Sequence, residues 1–367
     1  MGLIREAGFI TAGTYPDADP AAGLEAHLQL FEWGEQLGFD TAGVRERHLE
    51  HSVSSAATFL AAATQRTRTI TLESDVFPLG LDNPFRVAEA VATIAALAPG
   101  RCNIGISVSA PHADLLEPLA VPFVENGHDR YDRAAKFLAA LRGDYLGEPN
   151  TTIDTPDGPQ RPRIQPVIPG IIDDVWYGGG SDASIQWAAR KGLSLLLGNL
   201  TYGGDHYRSF RDARLAQLDL YHREFAGKPR NRRLGVERVI VPLDGADEPT
   251  RQKYRAFKAQ RDPRTLQPFG PRHILAEPDL VGFADEIVED ILGDPVFDGE
   301  TRLRVALPYS FEPHEYRQIL QDIAERVLPH VGWTPRSARL ATHPPRALRA
   351  NGLAGEPLAA HVLTHTA

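Results

Sequence analysis

Eight short apolar runs, each followed by a stretch with helical spacing, constrain this chain more than any other feature. The runs are AGFITAG (7–13), TAGVRERH (41–48), TITLESDVFPL (69–79), CNIGISV (102–108), DVWYGGG (174–180), LSLLLGNL (193–200), LGVERVIVPL (234–243) and RLRVALPY (302–309). Strands this apolar are buried on both faces, and strands that alternate with helices pair in parallel. The spacing predicts an α/β fold, a (β/α)8 TIM barrel with insertions. A doubly wound open sheet is the second choice, weakened because no G-x-G-x-x-G opens the first βα turn.

Helix signals support the alternation. Leu24, Leu28 and Phe31 share one face, and Gly38 closes that helix. Asn83 and Pro84 read as the N-cap and first position of another helix, followed by Val87, Val91, Ile94 and Ala98. The segment 203–226 reads as a helix with Tyr207, Phe210, Leu218, Tyr221 and Phe225 inward. Tyr316, Leu320, Ile323 and Val327 form a final stripe. Residues 148–170 hold several prolines without apolar period and read as a surface connection. The barrel is assigned to residues 1–333. Residues 334–367, rich in Ala, Pro and Arg, are expected to form a poorly ordered tail.

Composition then excludes classes. A net charge of −9 argues against nucleic-acid binding, which needs clustered Lys and Arg. The single cysteine, Cys102, allows no intrachain disulfide and no thiolate metal cage. No signal pattern opens the chain and no apolar run is long enough for a membrane span, so a cytoplasmic protein is expected.

Three glycines stand where the fifth run meets a helix: YGGGSDAS, 177–184. Helix N-termini offer free N–H groups and partial positive charge, and glycine lets an anion approach. Gly179, Gly180, Ser181 and Ser184 are therefore candidates for a phosphate site. The alternative is a tight turn with Ser181 as N-cap.

The run P-L-x-x-x-N-P-x-R-x-A-E (78–89), the turn G-R-x-x-x-G-I (100–106) and the turn G-G-G-S-x-x-S (178–184) occur in this order. Together they resemble the bacterial luciferase-like family of flavin-dependent monooxygenases and oxidoreductases, from about residue 7 to 330. The resemblance implies a barrel that binds FMN, or in some branches the deazaflavin F420, at the strands' C-terminal face. It places Ser181, Ser184, Gly179 and Gly180 at the flavin phosphate. It places Asp75 and Val76 where many members have a non-prolyl cis peptide beneath the isoalloxazine ring. Ser107 falls beside the flavin's reactive edge and Asn199 near the ring. His128, Arg130 and Tyr131 lie where some branches reach the ribityl-phosphate chain. Two departures stand out: luciferases read Glu-His-His where this chain has Glu46, Arg47 and His48, and they carry an Arg where this chain has Val108. Both argue against light emission from a long-chain aldehyde.

His48 is the candidate acid–base residue, since imidazole exchanges protons near neutral pH. Arg47 is a candidate for an anionic substrate or the flavin's pyrimidine edge, or else pairs with Glu46 or Glu50. Asp75 would bond flavin or substrate, because an acid in a central strand needs a partner. His51 and His112 read as loop residues and His27 as a helix-surface residue. No metal site is expected, as no H-x-H or H-E-x-x-H pair appears.

The resulting expectation is an FMN-dependent monooxygenase. It would take reduced FMN from a separate NAD(P)H:flavin reductase and use O2 to oxygenate a small organic substrate, as a homodimer. The alternatives are an F420-dependent hydride-transfer oxidoreductase, a non-catalytic flavin-binding or partner barrel, and, last, a phosphate-binding barrel lyase or isomerase.

Overall fold

The computed structural model describes residues 3–116, 130–203 and 206–342. Eight parallel strands close into a barrel, numbered here β1 (Ala7–Thr11), β2 (Thr41–Val44), β3 (Thr71–Pro78), β4 (Cys102–Ser107), β5 (Val175–Gly179), β6 (Ser194–Leu197), β7 (Leu234–Arg238) and β8 (Thr301–Ala306). Each lies within or against one of the eight apolar runs. Consecutive strands neighbour each other round the barrel, and β8 closes on β1 through Ala7 opposite Leu303.

Helices wrap the outside. The first begins earlier than its apolar stripe: Asp19 caps it by accepting from Ala22 N–H, and Pro20 opens Pro20–Leu37. Asn83 caps Pro84–Leu97 as its sequence indicates, accepting from the Phe85 and Arg86 N–H groups. The helix expected over 203–226 spans Phe210–Glu224, with Ser209 as its cap.

Three readings are corrected in detail. The connection 148–170 contains a small hairpin, Ile153–Thr155 against Gly158–Gln160. The seventh run splits: β7 ends at Arg238, and Ile240–Pro242 leaves the barrel to pair in parallel with Leu280–Gly282. At this break the Arg238 guanidinium pairs with Glu277 and Asp294, which belong to segments outside the barrel sheet. Beyond residue 333, Arg336–Thr342 is helical and docks on the barrel's N-terminal end. There Arg336 donates to the Asp40 carbonyl and the Thr71 hydroxyl at 3.0 Å, and Arg339 pairs with Asp40.

The barrel interior is not wholly apolar. Arg304, with 0% exposure, clamps both oxygens of buried Glu73 at 2.8 and 3.0 Å and reaches Glu6 at 3.2 Å. Asn103 donates to Glu73 at 2.8 Å.

His27 is not on a helix surface. It is 3% exposed, beneath the end of β1, with Nδ1 at 3.0 Å from the Thr11 hydroxyl and Nε2 at 3.0 Å from the Thr14 carbonyl. A carbonyl only accepts, so Nε2 carries the proton and Nδ1 accepts from Thr11. Burial pulls its pKa from 6.5 down to about 4, against a raising contribution from the Thr14 carbonyl. The unfolded chain therefore binds this proton first, so stability is complete above about pH 6.5 and falls as pH drops toward 4. Between pH 7 and 5 this group alone should cost about 2 kcal/mol. Urea unfolding at the two pH values checks this: His27→Gln should show a smaller difference between them than the native chain.

Candidate active site

Polar side chains gather at the strands' C-terminal ends, where barrel enzymes keep their chemistry. Arg45 follows β2, Asp75 lies in β3 and Glu237 in β7. Strand alternation turns Glu237 to the interior and Arg238 outward. Arg45 Nη2 pairs with Glu237 Oε2, and Arg45 Nη1 lies 3.5 Å from Asp75 Oδ2. Asp75 is 6% and Glu237 3% exposed. Burial, then the neighbouring Glu237, push the Asp75 carboxyl well above the usual range, with Arg45 opposing.

The Asp75–Val76 peptide bond, the position singled out for a non-prolyl cis bond, is cis. The β3–β4 register shifts between Ser74 and Phe77, so Val76 stands out of the regular ladder.

A second cluster lies on the adjoining rim. Burial raises Glu46 to about 7 although its carboxylate accepts from the Ala56 N–H, and Asp82 raises it further. His48 Nε2, a buried atom without a hydrogen bond, lies 3.7 Å from Glu46 Oε1. Ligand-type atoms of Glu46, His48 and Asp82 all lie within 4.8 Å of one another, which no H-x-H spacing could announce. The set can exchange protons and has a geometry open to a cation. Arg47 is bound to Glu50, with Nε at 2.8 Å, and lies over the Tyr309 ring, the alternative its sequence position offered.

The glycines at the end of β5 have a packing reason. A Cβ on Gly178 would come within 3.0 Å of Val76 Cγ1, and one on Gly179 within 2.8 Å of Ile185 Cγ1. Small residues here let the helix Asp182–Arg190 and the Val76 bulge press on the strand. Ser181 and Ser184 form a reciprocal capping box: the Ser184 N–H donates to Ser181 Oγ at 3.4 Å, and the Ser181 N–H to Ser184 Oγ at 3.1 Å. The Gly180 N–H also points at Ser184 Oγ, at 3.3 Å. Asp182, in the helix's first turn, accepts from Tyr207 at 2.8 Å and from Gln217 at 3.4 Å.

The remaining candidates are dispersed. Ser107, buried at the end of β4, shares a 2.6 Å contact with Ser109 Oγ. Asn199 follows β6 and its carbonyl accepts from the Glu277 N–H. Arg130 opens the helix Arg130–Arg142, and Tyr131 stacks on Trp187 at 4.9 Å, beside the Ser181 helix. His128 lies outside the described residues. The aromatic side chains of Phe9 in β1 and Trp176 in β5 are core. Arg45, Glu237 and Asp82 carry no motif; their one signal is a charge within or beside an apolar strand. A cavity of about 640 Å³ opens beside the mouth, with Arg214, Arg238 and Glu277 in its wall.

A closed parallel barrel with ionisable residues gathered at its strands' C-terminal ends has the layout in which barrel enzymes place their sites. The model for "Luciferase-like monooxygenase" matches residues 5–260, and the chain belongs to this family. It is 33% identical over 99 residues to 4-hydroxyprotoasukamycin monooxygenase of Streptomyces nodosus subsp. asukaensis, 26% of this chain and 27% of that protein. It is 32% identical over 126 residues to an F420-dependent glucose-6-phosphate dehydrogenase of Beutenbergia cavernae, 33% of this chain and 36% of that protein. The chain thus spans about a third or less of these curated relatives. Its fold is shared with the oxygenating constituent of 3,6-diketocamphane monooxygenase from Pseudomonas putida, solved in complex with FMN. That match has a TM-score of 0.61 at 14% identity and covers 90% of this chain and 98% of the other. Among the described residues no helix is long and apolar enough to cross a membrane.

Proposed function

We propose that this chain is the oxygenating component of a two-component flavin monooxygenase. It takes reduced FMN from a separate NAD(P)H:flavin reductase and uses O2 to oxygenate a small organic substrate. The observation that supports FMN over F420 is that four arginines of the rim and its flanking segments are each paired with an acid. Arg47 is bound to Glu50, Arg238 to Glu277 and Asp294, and Arg261 and Arg264 to Asp279. These guanidiniums are committed to carboxylates rather than left to receive an acidic oligoglutamyl tail.

The residues present fit a flavin in two respects. The buried Asp75 Oδ2 has no hydrogen-bond partner. The helix opened by Ser181 gathers hydroxyls and N–H groups at one point, bonded among themselves and, through the Ser184 hydroxyl, to the Ser181 carbonyl at 2.7 Å. Ser181, Ser184, Gly179 and Gly180 would hold the phosphate, with Arg130 and Tyr131 beside them. Asp75, Val76, Ser107 and Asn199 would border the ring. The flavin, once bound and reduced, supplies electrons to oxygen. The protein's own residues exclude water and hold protons: His48 at Nε2, beside the Glu46 carboxyl, moves a proton to or from the substrate. Arg47, where it can leave Glu50, orients an anionic group.

Anaerobic titration of the purified chain with reduced FMN and with reduced F420 tests the cofactor assignment. Saturable binding of FMN at micromolar concentration with much weaker binding of F420 is expected. The reverse order would move the chain to the F420 hydride-transfer reading, and binding of neither would contradict both. A Ser184→Ala variant should lose about tenfold in FMN affinity, the worth of one charge-assisted hydrogen bond to phosphate.

A further inference from the structure

Arg45 reaches two carboxyl groups at once, and neither meets bulk water. Its Nη2 sits on Glu237 Oε2, while its Nη1 is 3.5 Å from Asp75 Oδ2, which has no hydrogen-bond partner. Two carboxylates against one guanidinium would leave one uncompensated charge in a dry interior, which costs several kcal/mol. The other groups facing them leave that excess in place. Glu73, in the same strand as Asp75, is an acid already clamped by Arg304 and Asn103. Tyr309 faces Arg45. Arg214, a buried cation with Nε and Nη1 unpartnered, faces Glu237 but also Glu277, and Glu277 shares Arg238 with Asp294, so the guanidiniums Arg45, Arg214 and Arg238 meet one carboxyl more than their own number in Asp75, Glu237, Glu277 and Asp294. Like charges this close resolve the excess by holding one proton between them. Arg45 selects where it sits: the carboxylate in direct contact with the guanidinium stays ionised, and the more distant one is protonated.

We infer that Asp75 and Glu237 share one proton at neutral pH, with Glu237 ionised against Arg45 and acting as a positioning residue that keeps Asp75 a neutral carboxylic acid. The mouth then presents an O–H donor with the trio's net charge at zero. A group bound there is recognised by an acceptor atom, a carbonyl oxygen or an unprotonated ring nitrogen, and not by a cationic centre. The inference rests on the flavin reading only for the identity of that occupant.

Infrared spectroscopy of the full chain without added cofactor, grown with isotope-labelled aspartate, tests it. At neutral pH the native protein should show a protonated-carboxyl band that moves with the aspartate label and is absent from Asp75→Asn. Glu237→Gln should lose the same band, because Arg45 then pairs with Asp75 and ionises it. Glu237→Asp should restore it. A native spectrum without such a band overturns the inference, whether or not the variants fold, and so does a band that Glu237→Gln leaves unchanged. The band together with failure to bind FMN would instead refute only the flavin assignment.

Discussion

Arg304→Met is expected to destabilise the chain by roughly 3–5 kcal/mol, the cost of leaving a buried charge unpaired. Arg304 is fully buried and holds both oxygens of Glu73. Methionine fills similar volume but leaves Glu73 with Asn103 alone in the middle of the barrel. The double variant Arg304→Met with Glu73→Met should recover most of the loss, because it removes the orphaned charge as well as the bridge. Urea unfolding of the two single variants and the double variant measures the coupling. Equal, additive losses would show that packing, and not the ion pair, governs this layer.

His48→Ala is expected to lower the turnover number by about 100- to 10,000-fold, the usual contribution of a general acid or base. Its Nε2 is buried, faces Glu46 at 3.7 Å, and has no competing hydrogen bond. Binding of reduced FMN should change little, which separates a proton-transfer role from a structural one. Glu46, raised to about 7 by burial and by Asp82, should appear as an ionisation in the pH profile of turnover. Asp82→Asn removes a like charge, so that ionisation should move to lower pH. A profile that does not move would place the controlling group elsewhere.

The barrel was legible in the sequence because a parallel strand buried on both faces writes itself as a continuous apolar run. Each of the eight runs contains or borders one barrel strand. What the runs hid was strand ends and insertions. Ile240–Pro242 reads as one run with β7, although it pairs outside the barrel with Leu280–Gly282. Apolar composition records burial and not the partner.

The site was legible where a local pattern carries it. Ser181 is the N-cap its position offered, and the cis bond falls at Asp75–Val76, where the family resemblance implies one. The triple glycine was ambiguous between a phosphate site and a tight turn with Ser181 as N-cap; Ser181 does cap the helix, and contacts to Val76 and Ile185 add a packing reason for Gly178 and Gly179 that no spacing announces. Arg45, Glu237 and Asp82 come from distant strands or loops, so only the closed barrel brings them to Asp75 and His48. His27 was misread because its helix turns that position to the end of β1, where Thr11 and Thr14 satisfy both ring nitrogens.

The most direct measurement is stopped-flow mixing of the chain, loaded anaerobically with reduced FMN, against oxygenated buffer, following the return of oxidised-flavin absorbance. A barrel mouth that shelters the cofactor predicts oxidised flavin returning far more slowly than with free reduced FMN. Return at the rate of the free cofactor would contradict the oxygenase reading.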